Sequence, residues 1–227
     1  MRMIRMLCVA ASIAIPQWAA AQLVLDNFST GKYQKTLLSS SDTNTQTGSM
    51  VGGSRETEFF ICSPGPCGAR NPFGQPSSFQ IRPATKLAPA ALIMNGGYKV
   101  GPRLDVYYGS GTPMNLNLSA LYDRIRLTFD ASDLSVNFNI LVFTGTTWSQ
   151  IGCNIDPSIT SFTYDFPFAN FQAASGTSGA DFSDLTLMDF IFQTDSAIGG
   201  NNWAVTSFEA IPIGAPPGDF TCPGFGK

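Results

Sequence analysis

Two carboxylates stand at i and i+2 in Glu56-Thr57-Glu58. On an extended chain that spacing puts both on one face, where a glycoside-cleaving site would use one as acid and the other as base or nucleophile. Nothing around them adds to that chemistry. No Gly-x-Ser-x-Gly elbow, phosphate loop or dinucleotide fingerprint occurs, and neighbouring carboxylates on a solvent-facing strand are ordinarily just hydrated. The 227 residues include no histidine, which removes the commonest general base near neutral pH, the usual hydrolytic triads and the most frequent metal ligand. No catalytic residue is therefore assigned, and a carboxylate-dependent glycan-active enzyme stands only as the lesser alternative.

A second set of residues suits binding. Sugar rings present apolar C–H faces that stack on aromatic side chains, while Asp, Asn, Gln and Arg satisfy the hydroxyls. In the segment Thr147 to Cys153, Trp148 and Gln150 share one face and Ile151 and Cys153 the other. In Arg103 to Tyr108, the residues Arg103, Asp105 and Tyr107 share a face opposite Leu104, Val106 and Tyr108. These five, Trp148, Gln150, Tyr107, Arg103 and Asp105, are the candidate ligand-binding residues, with a polysaccharide or cell-surface glycan as partner. The competing reading has Trp148 and Tyr107 covering the second face of a sheet under a loop, and Trp203 simply buried. Calcium is the one cofactor the composition suits. Asp and Asn residues in loops offer hard oxygen ligands from separate segments, with Asp181 and Asp184 as contributors, although Asx-turns account for both without a metal.

The elements that must position these residues follow from composition. Thirteen Lys and Arg against 16 Asp and Glu give a formal net charge of -3, so there is no basic excess to neutralise phosphates and nucleic acid is excluded as a partner. Arg2 and Arg5, the apolar run from Met6 to Pro16, and Trp18-Ala19-Ala20-Ala21-Gln22 read as a secretory signal cleaved after Ala21. A membrane anchor is the weaker reading, because the run is shorter than the roughly 20 residues a spanning helix needs. From Gln22 onward the chain carries 11 basic and 16 acidic side chains, 13 of the acids being Asp. It is poor in helix formers and rich in Phe, Thr, Ser, Gly and Asn, which favours an all-β protein.

Period-two alternation bears this out. Leu134, Val136, Phe138, Ile140 and Val142 alternate at first with Ser135, Asn137 and Asn139, and Ile125, Leu127 and Phe129 alternate with Arg124, Arg126 and Thr128. The link Asp130 to Asp133 suits a hairpin between those two strands, with the Arg side chains facing solvent or a concave surface. About a dozen short strands can be read in all, including Leu23 to Phe28, Tyr33 to Leu38, Glu56 to Cys62, Leu187 to Gln193 and Trp203 to Ile211. Ser39 to Gly48 and Ser63 to Ser78 read as loops. Only Pro167 to Ala174 and Leu116 to Asp123 look capable of a helical turn.

Four cysteines follow the signal, and an even number in an exported chain suggests disulfides. Cys62 and Cys67 bracket the turn-forming Ser-Pro-Gly-Pro, so they are expected to pair locally; by elimination Cys153 pairs with Cys222. The second bridge would tie down a Pro/Gly-rich tail that should otherwise fray.

Three motifs carry a resemblance. Asp26-Asn27-Phe28, then Gly48-Ser49-Met50-Val51-Gly52-Gly53-Ser54-Arg55-Glu56, and late in the chain Ala180-Asp181-Phe182-Ser183-Asp184-Leu185, are similar to a group of exported bacterial β-sandwich proteins and to galactose-binding-like jelly rolls. The resemblance implies a jelly roll whose first and last strands lie side by side. On the residues themselves, Gly52-Gly53 can take positive φ and turn the chain into the next strand, and Arg55 reads as half of a buried or edge ion pair with another residue, an Asp among the candidates, in preference to substrate recognition. The expectation is an all-β, two-sheet antiparallel jelly-roll sandwich over 22–212, preceded by a signal peptide at 1–21 and followed by a tail at 213–227. Its expected role is secreted and non-catalytic, either binding glycans or serving as a structural envelope or matrix protein.

Overall fold

Alternating burial runs through nearly every strand, and two sheets packed face to face are its consequence. The computed structural model describes residues 20–61, 71–194 and 200–224. In chain order the strands are β1 (Leu23–Asp26), β2 (Tyr33–Leu37), β3 (Ser41–Thr47), β4 (Ser54–Phe60), β5 (Ser77–Arg82), β6 (Ala91–Asn95), β7 (Arg103–Tyr108) and β8 (Tyr122–Ser132), followed by β9 (Val136–Thr144), β10 (Thr147–Ile155), β11 (Phe162–Pro167), β12 (Gln172–Ala173), β13 (Leu187–Gln193), β14 (Asn202–Pro212) and β15 (Phe220–Thr221). The first sheet runs β15-β11-β8-β14-β6-β5-β2, and the second β12-β10-β9-β13-β7-β4-β3. Pairings are antiparallel except β11 with β15. The eleven-residue β14 is long enough to serve two partners along one edge: β6 pairs with its first half and β1 with its second. The first strand therefore lies beside the last long one, and the chain is an all-β jelly-roll sandwich.

The expected hairpin over Asp130 to Asp133 does not form. A strand has only two edges, and those of β8 are taken by β11 and β14, those of β9 by β10 and β13. The link instead crosses from one sheet to the other. Asp133 accepts from the backbone N–H of Asn202 at 2.7 Å and from its Nδ2 at 2.6 Å, which anchors the crossing to β14. Ser39 to Gly48, expected as a loop, contains the edge strand β3, paired with β4 along its whole length. Its Ser, Thr and Asn content disguised it, since an edge strand needs no apolar row and Thr is β-branched. The 116–123 segment makes one turn, with Tyr122 N–H donating to Leu118 O at 3.0 Å, and Phe168–Asn170 forms a 3-10 turn.

Aromatic rings fill the space between the sheets. Phe190 of β13 stacks on Phe208 of β14 at 4.3 Å, and Phe192 lies 4.4 Å from Trp203 and 4.6 Å from Phe138. Trp203 is thus core, as the bland reading had it.

Within this apolar interior sits one charged link between the sheets. The Arg55 side chain (β4) is fully buried and pairs with Asp26 of β1. Its Nε donates to Gln46 Oε1 at 3.0 Å, and Nη2 donates to the carbonyls of Thr30 and Gly31 at 3.2 and 3.3 Å. Asp26 also accepts from the Tyr108 hydroxyl at 2.7 Å and from the Phe28 N–H at 2.7 Å, which steadies Phe28 at φ +56°. Gly31 has φ +73°, and a Cβ there would lie 2.9 Å from Arg55 Nη2; only glycine lets the guanidinium approach that carbonyl. Gly52 and Gly53 both take φ +72° and deliver the chain into β4, as expected.

The tail is not left to solvent. Arg126 on the outward face of β8 donates through Nε to Asp165 Oδ1 at 2.6 Å and through Nη2 to Pro216 O at 2.9 Å, while Gly218 N–H donates to Asp165 Oδ2 at 2.7 Å. Arg124 adds a bond to Ala215 O at 2.6 Å. The two Arg residues expected at an open surface therefore hold the tail across the first sheet. Cys153 and Cys222 are neighbouring free thiols rather than the expected bridge; Cys62, Cys67 and the signal segment 1–19 lie outside the described residues.

Removing one member of a buried ion pair leaves the other charge uncompensated. Arg55→Met is expected to destabilise the protein by about 3–5 kcal/mol, and the double change Arg55→Met with Asp26→Asn to cost less than the two single losses added. Urea unfolding of the three variants tests this; additive losses would show that the two residues do not act as a unit.

Candidate functional site

The outward face of the second sheet gathers all five sequence-derived binding residues. On β7, Arg103, Asp105 and Tyr107 point away from the core, while Leu104, Val106 and Tyr108 are fully buried. On β10, Trp148 and Gln150 point outward, opposite Ile151 and Cys153. The register joins the two sets in rows across the strands. Glu56 lies beside Tyr107, Tyr107 beside Asp189, Asp189 beside Leu141 and Leu141 beside Gln150. Two residues along, Glu58, Asp105, Ile191 and Asn139 form the next row. At the end of β10, Trp148 faces Phe143 across the strands, with ring centroids 6.0 Å apart in a stacked arrangement.

The Arg103, Asp105 and Tyr107 trio is less open than expected. Asp105 is 1% exposed and Asp189 5%, although both lie on the outward face. Longer neighbours close over them: the Arg103 guanidinium grips Asp105 through Nε at 2.7 Å and Nη2 at 2.6 Å, and the Tyr107 hydroxyl lies 3.3 Å from both Asp105 Oδ2 and Glu58 Oε2. Glu56 accepts from the Ser110 hydroxyl at 3.2 Å. Glu56 and Glu58 do share the face, each engaged by a hydroxyl from β7 or the turn after it.

Burial governs the protonation of this cluster. It pushes the Asp189 carboxyl from its ordinary 3.8 up to about 8, reinforced by the nearby Asp105 charge and opposed by Arg103. Burial likewise raises Asp105, against the pull of Arg103, and raises Tyr107 together with the surrounding carboxylates. Asp189 Oδ1 is buried with no hydrogen-bond partner in the protein. Sequence reasoning missed Asp189 as a site residue. The available signal was an Asp at an alternate position of the otherwise apolar strand Leu-Met-Asp-Phe-Ile-Phe.

A second aromatic surface was also missed. Phe73 and Tyr98, 56% and 60% exposed, pair at 5.7 Å on the loops that lead out of β4 and into β7, with Lys99 Nζ 5.9 Å from the Tyr98 ring. Phe73 sits in a turn closed by Gly74 N–H to Asn71 O at 3.2 Å. Neither ring belongs to a strand, so no alternation marked them.

Asp181 and Asp184, the expected calcium contributors, lie in one turn. Asp181 Oδ1 accepts from the Ser183 N–H at 2.8 Å and its hydroxyl at 2.7 Å, and Asp184 N–H donates to Asp181 O at 3.0 Å. That is the Asx-turn geometry. Among the described residues no group of three or more Cys, Asp or Glu is placed to hold a metal ion, and no helix is long and apolar enough to cross a membrane.

No family model matches the chain. No curated protein matches it either. Among solved structures it is similar to a family 11 carbohydrate-binding module of a cellulosomal cellulase of Clostridium thermocellum, at 11% identity over 86% of this chain and 96% of that one, with a TM-score of 0.45. A family 11 module from the same organism in complex with a β-1,3-1,4-mixed-linked tetrasaccharide aligns at 12% identity over 84% and 95%, with a TM-score of 0.42. An agarase aligns at 13% identity over 62% of this chain and 23% of its own, with a TM-score of 0.40.

The raised Asp189 carboxyl has a measurable consequence. Between pH 4 and 8 the folded state holds a proton there that the unfolded state has released, so this contribution to stability is full below about pH 4 and declines as pH rises toward 8. Asp189→Asn is expected to flatten that decline, raising the melting temperature at pH 8 by several degrees while changing it little at pH 4. Thermal unfolding across this range checks it; an unchanged slope would place the proton elsewhere.

Proposed function

We propose that this chain is an exported, non-catalytic module that binds a polysaccharide or cell-surface glycan on the outward face of its second sheet. The observation that carries the reading is the ribbon of polar and aromatic side chains on one sheet face, from Glu56 and Glu58, through Arg103, Asp105, Tyr107 and Asp189, and past Leu141 on β9 to Gln150 and Trp148. From β4 to β10 it crosses four strand spacings of roughly 4.8 Å, about 19 Å in all, a length that suits several consecutive sugar units rather than one.

The chemistry of the ribbon matches that ligand. Glycan hydroxyls both donate and accept, and the face offers carboxylate acceptors, guanidinium and amide donors, and a phenol that does both. Several are already held in place by each other, so binding orders few side chains and loses little entropy. Trp148, half-buried against Phe143, supplies the apolar surface on which a ring face can stack. The Asp189 carboxyl, covered by its neighbours, gives the ribbon a polar floor. Export is supported by the residues before Gln22 and by the even cysteine count that follows.

Affinity electrophoresis through gels containing a panel of neutral and acidic polysaccharides tests the reading. Retardation by at least one of them is expected, with Trp148→Ala and Tyr107→Ala each weakening affinity about tenfold, near 1.4 kcal/mol, at little cost in melting temperature. Migration unaffected by every polysaccharide would leave the structural envelope reading standing. Retardation unchanged in both variants would move the site off this face.

A further inference from the structure

Cys153 and Cys222 come from different sheets and meet at one edge of the sandwich. Cys153 points inward from β10, on the side opposite Trp148 and Gln150. Cys222 follows β15 at the end of the tail and is fully buried. The two thiols lie close enough for each to shift the other's ionisation, with Tyr164 beside them, and both pack against the same apolar core. Both backbones are pinned. Cys153 is paired with Phe138 in the ladder between β10 and β9. The Cys222 N–H donates to Asp165 O at 2.8 Å, and its carbonyl accepts from Asn170 Nδ2 at 3.0 Å.

We propose that Cys153 and Cys222 are an oxidation site at which a disulfide bond ties the tail and the first sheet to β10 of the second. The oxidant is a disulfide, either a small-molecule one or the active-site disulfide of a thiol oxidoreductase. Cys153, the less buried of the two, is the sulfur such a reagent reaches. As thiolate it attacks the oxidant's S–S bond, forming a mixed disulfide and releasing one oxidant sulfur as a thiol. The Cys222 thiolate then attacks the Cys153 sulfur and displaces the second oxidant sulfur, also as a thiol. Two protein thiols lose two electrons and two protons, and one oxidant disulfide gains them.

The fold gives the bond something to do. β15 has only two residues and sits at the edge of the first sheet, joined by a parallel ladder to β11. Noncovalent support for the tail comes from Asp165 and the two Arg residues of β8, from Thr163 bonded to Asp219, and from Phe220 against Phe162 and Tyr164. All of these contacts are noncovalent, and a two-residue edge strand has only a short ladder of its own, so a covalent bond adds a constraint that they do not supply. The bond would join residues 69 positions apart in the chain, a loop long enough to remove much of the unfolded chain's freedom. It would also fix β10, whose outward side carries Trp148 and Gln150; this last consequence rests on the glycan-binding reading, whereas the bond does not.

The full chain, refolded in an oxidised and reduced glutathione buffer, is alkylated under denaturing conditions without reductant and mapped by proteolysis and mass spectrometry. A linked pair of peptides containing Cys153 and Cys222, 2 Da below the sum of the two thiol peptides and separated by reductant, is the expected result. Recovery of both residues as alkylated thiols, or linked instead to Cys62 or Cys67, would overturn the proposal. As an independent readout, reductant is expected to lower the melting temperature of the wild type by about 5–15 °C and to have little effect on the double variant Cys153→Ser with Cys222→Ser. An equal drop in both proteins would also overturn it. Neither measurement involves a glycan, so each stands or fails separately from the binding reading.

Discussion

The ion pair between Asp26 and Arg55 is the constraint on which the sandwich turns. It is a charged contact sealed between two sheets whose other meeting surfaces are largely Phe, Leu, Ile and Val. A charge there is tolerated only with a complete set of partners. Gln46, Tyr108 and the carbonyls of Thr30 and Gly31 complete the set, and each draws another segment into register. A slip of β4 by one residue would turn Arg55 to the outside, bury Glu56 and leave Asp26 unpaired. The pair thus specifies how β1, β3, β4 and β7 meet, and the aromatic core supplies most of the driving force. It also gives a physical reason for the two early motifs: Asp26 in Asp-Asn-Phe and Arg55 beyond the paired glycines are halves of one contact.

That register decides what appears on the other side of the second sheet. With Arg55, Thr57 and Phe59 facing inward, Glu56 and Glu58 must face outward. With Leu104, Val106 and Tyr108 inward, Arg103, Asp105 and Tyr107 must face outward beside them. β13 adds Asp189 to the same row. Glu58, Asp105, Asp189 and one guanidinium then share a region that their own side chains cover, and burial raises Asp189, with Asp105 and Glu58 adding to it and Arg103 opposing. The polar face is the reverse side of the core pattern.

Much of this was legible as alternation. Strands that face the core on one side only, such as Val136 to Val142 and Arg103 to Tyr108, announce which residues point outward, so the Trp148 and Gln150 face and the Tyr107 face were read correctly. β3 was not legible, because both of its sides are polar: one meets solvent and the other meets Arg55. The Ser132 to Val136 connection was misread as a hairpin because a polar link between two alternating strands looks the same whether the chain turns back or crosses to the opposite sheet. Phe73 and Tyr98 gave no signal, since loop residues have no period.

The sequence by itself determined the all-β class, the inward and outward identity of most strand residues, and the need for an acidic partner for Arg55. Period-two burial and the cost of an unpaired charge are local enough to be read from residue order. Only the tertiary structure decided which strands are neighbours, and therefore that Glu58, Asp105, Tyr107 and Asp189, drawn from three strands spanning more than 130 positions, form one cluster. It also decided that the tail folds back over β8 and that Cys222 arrives beside Cys153. Strand adjacency is set by packing across the whole sandwich, where each edge can be used once, and no local spacing encodes that competition.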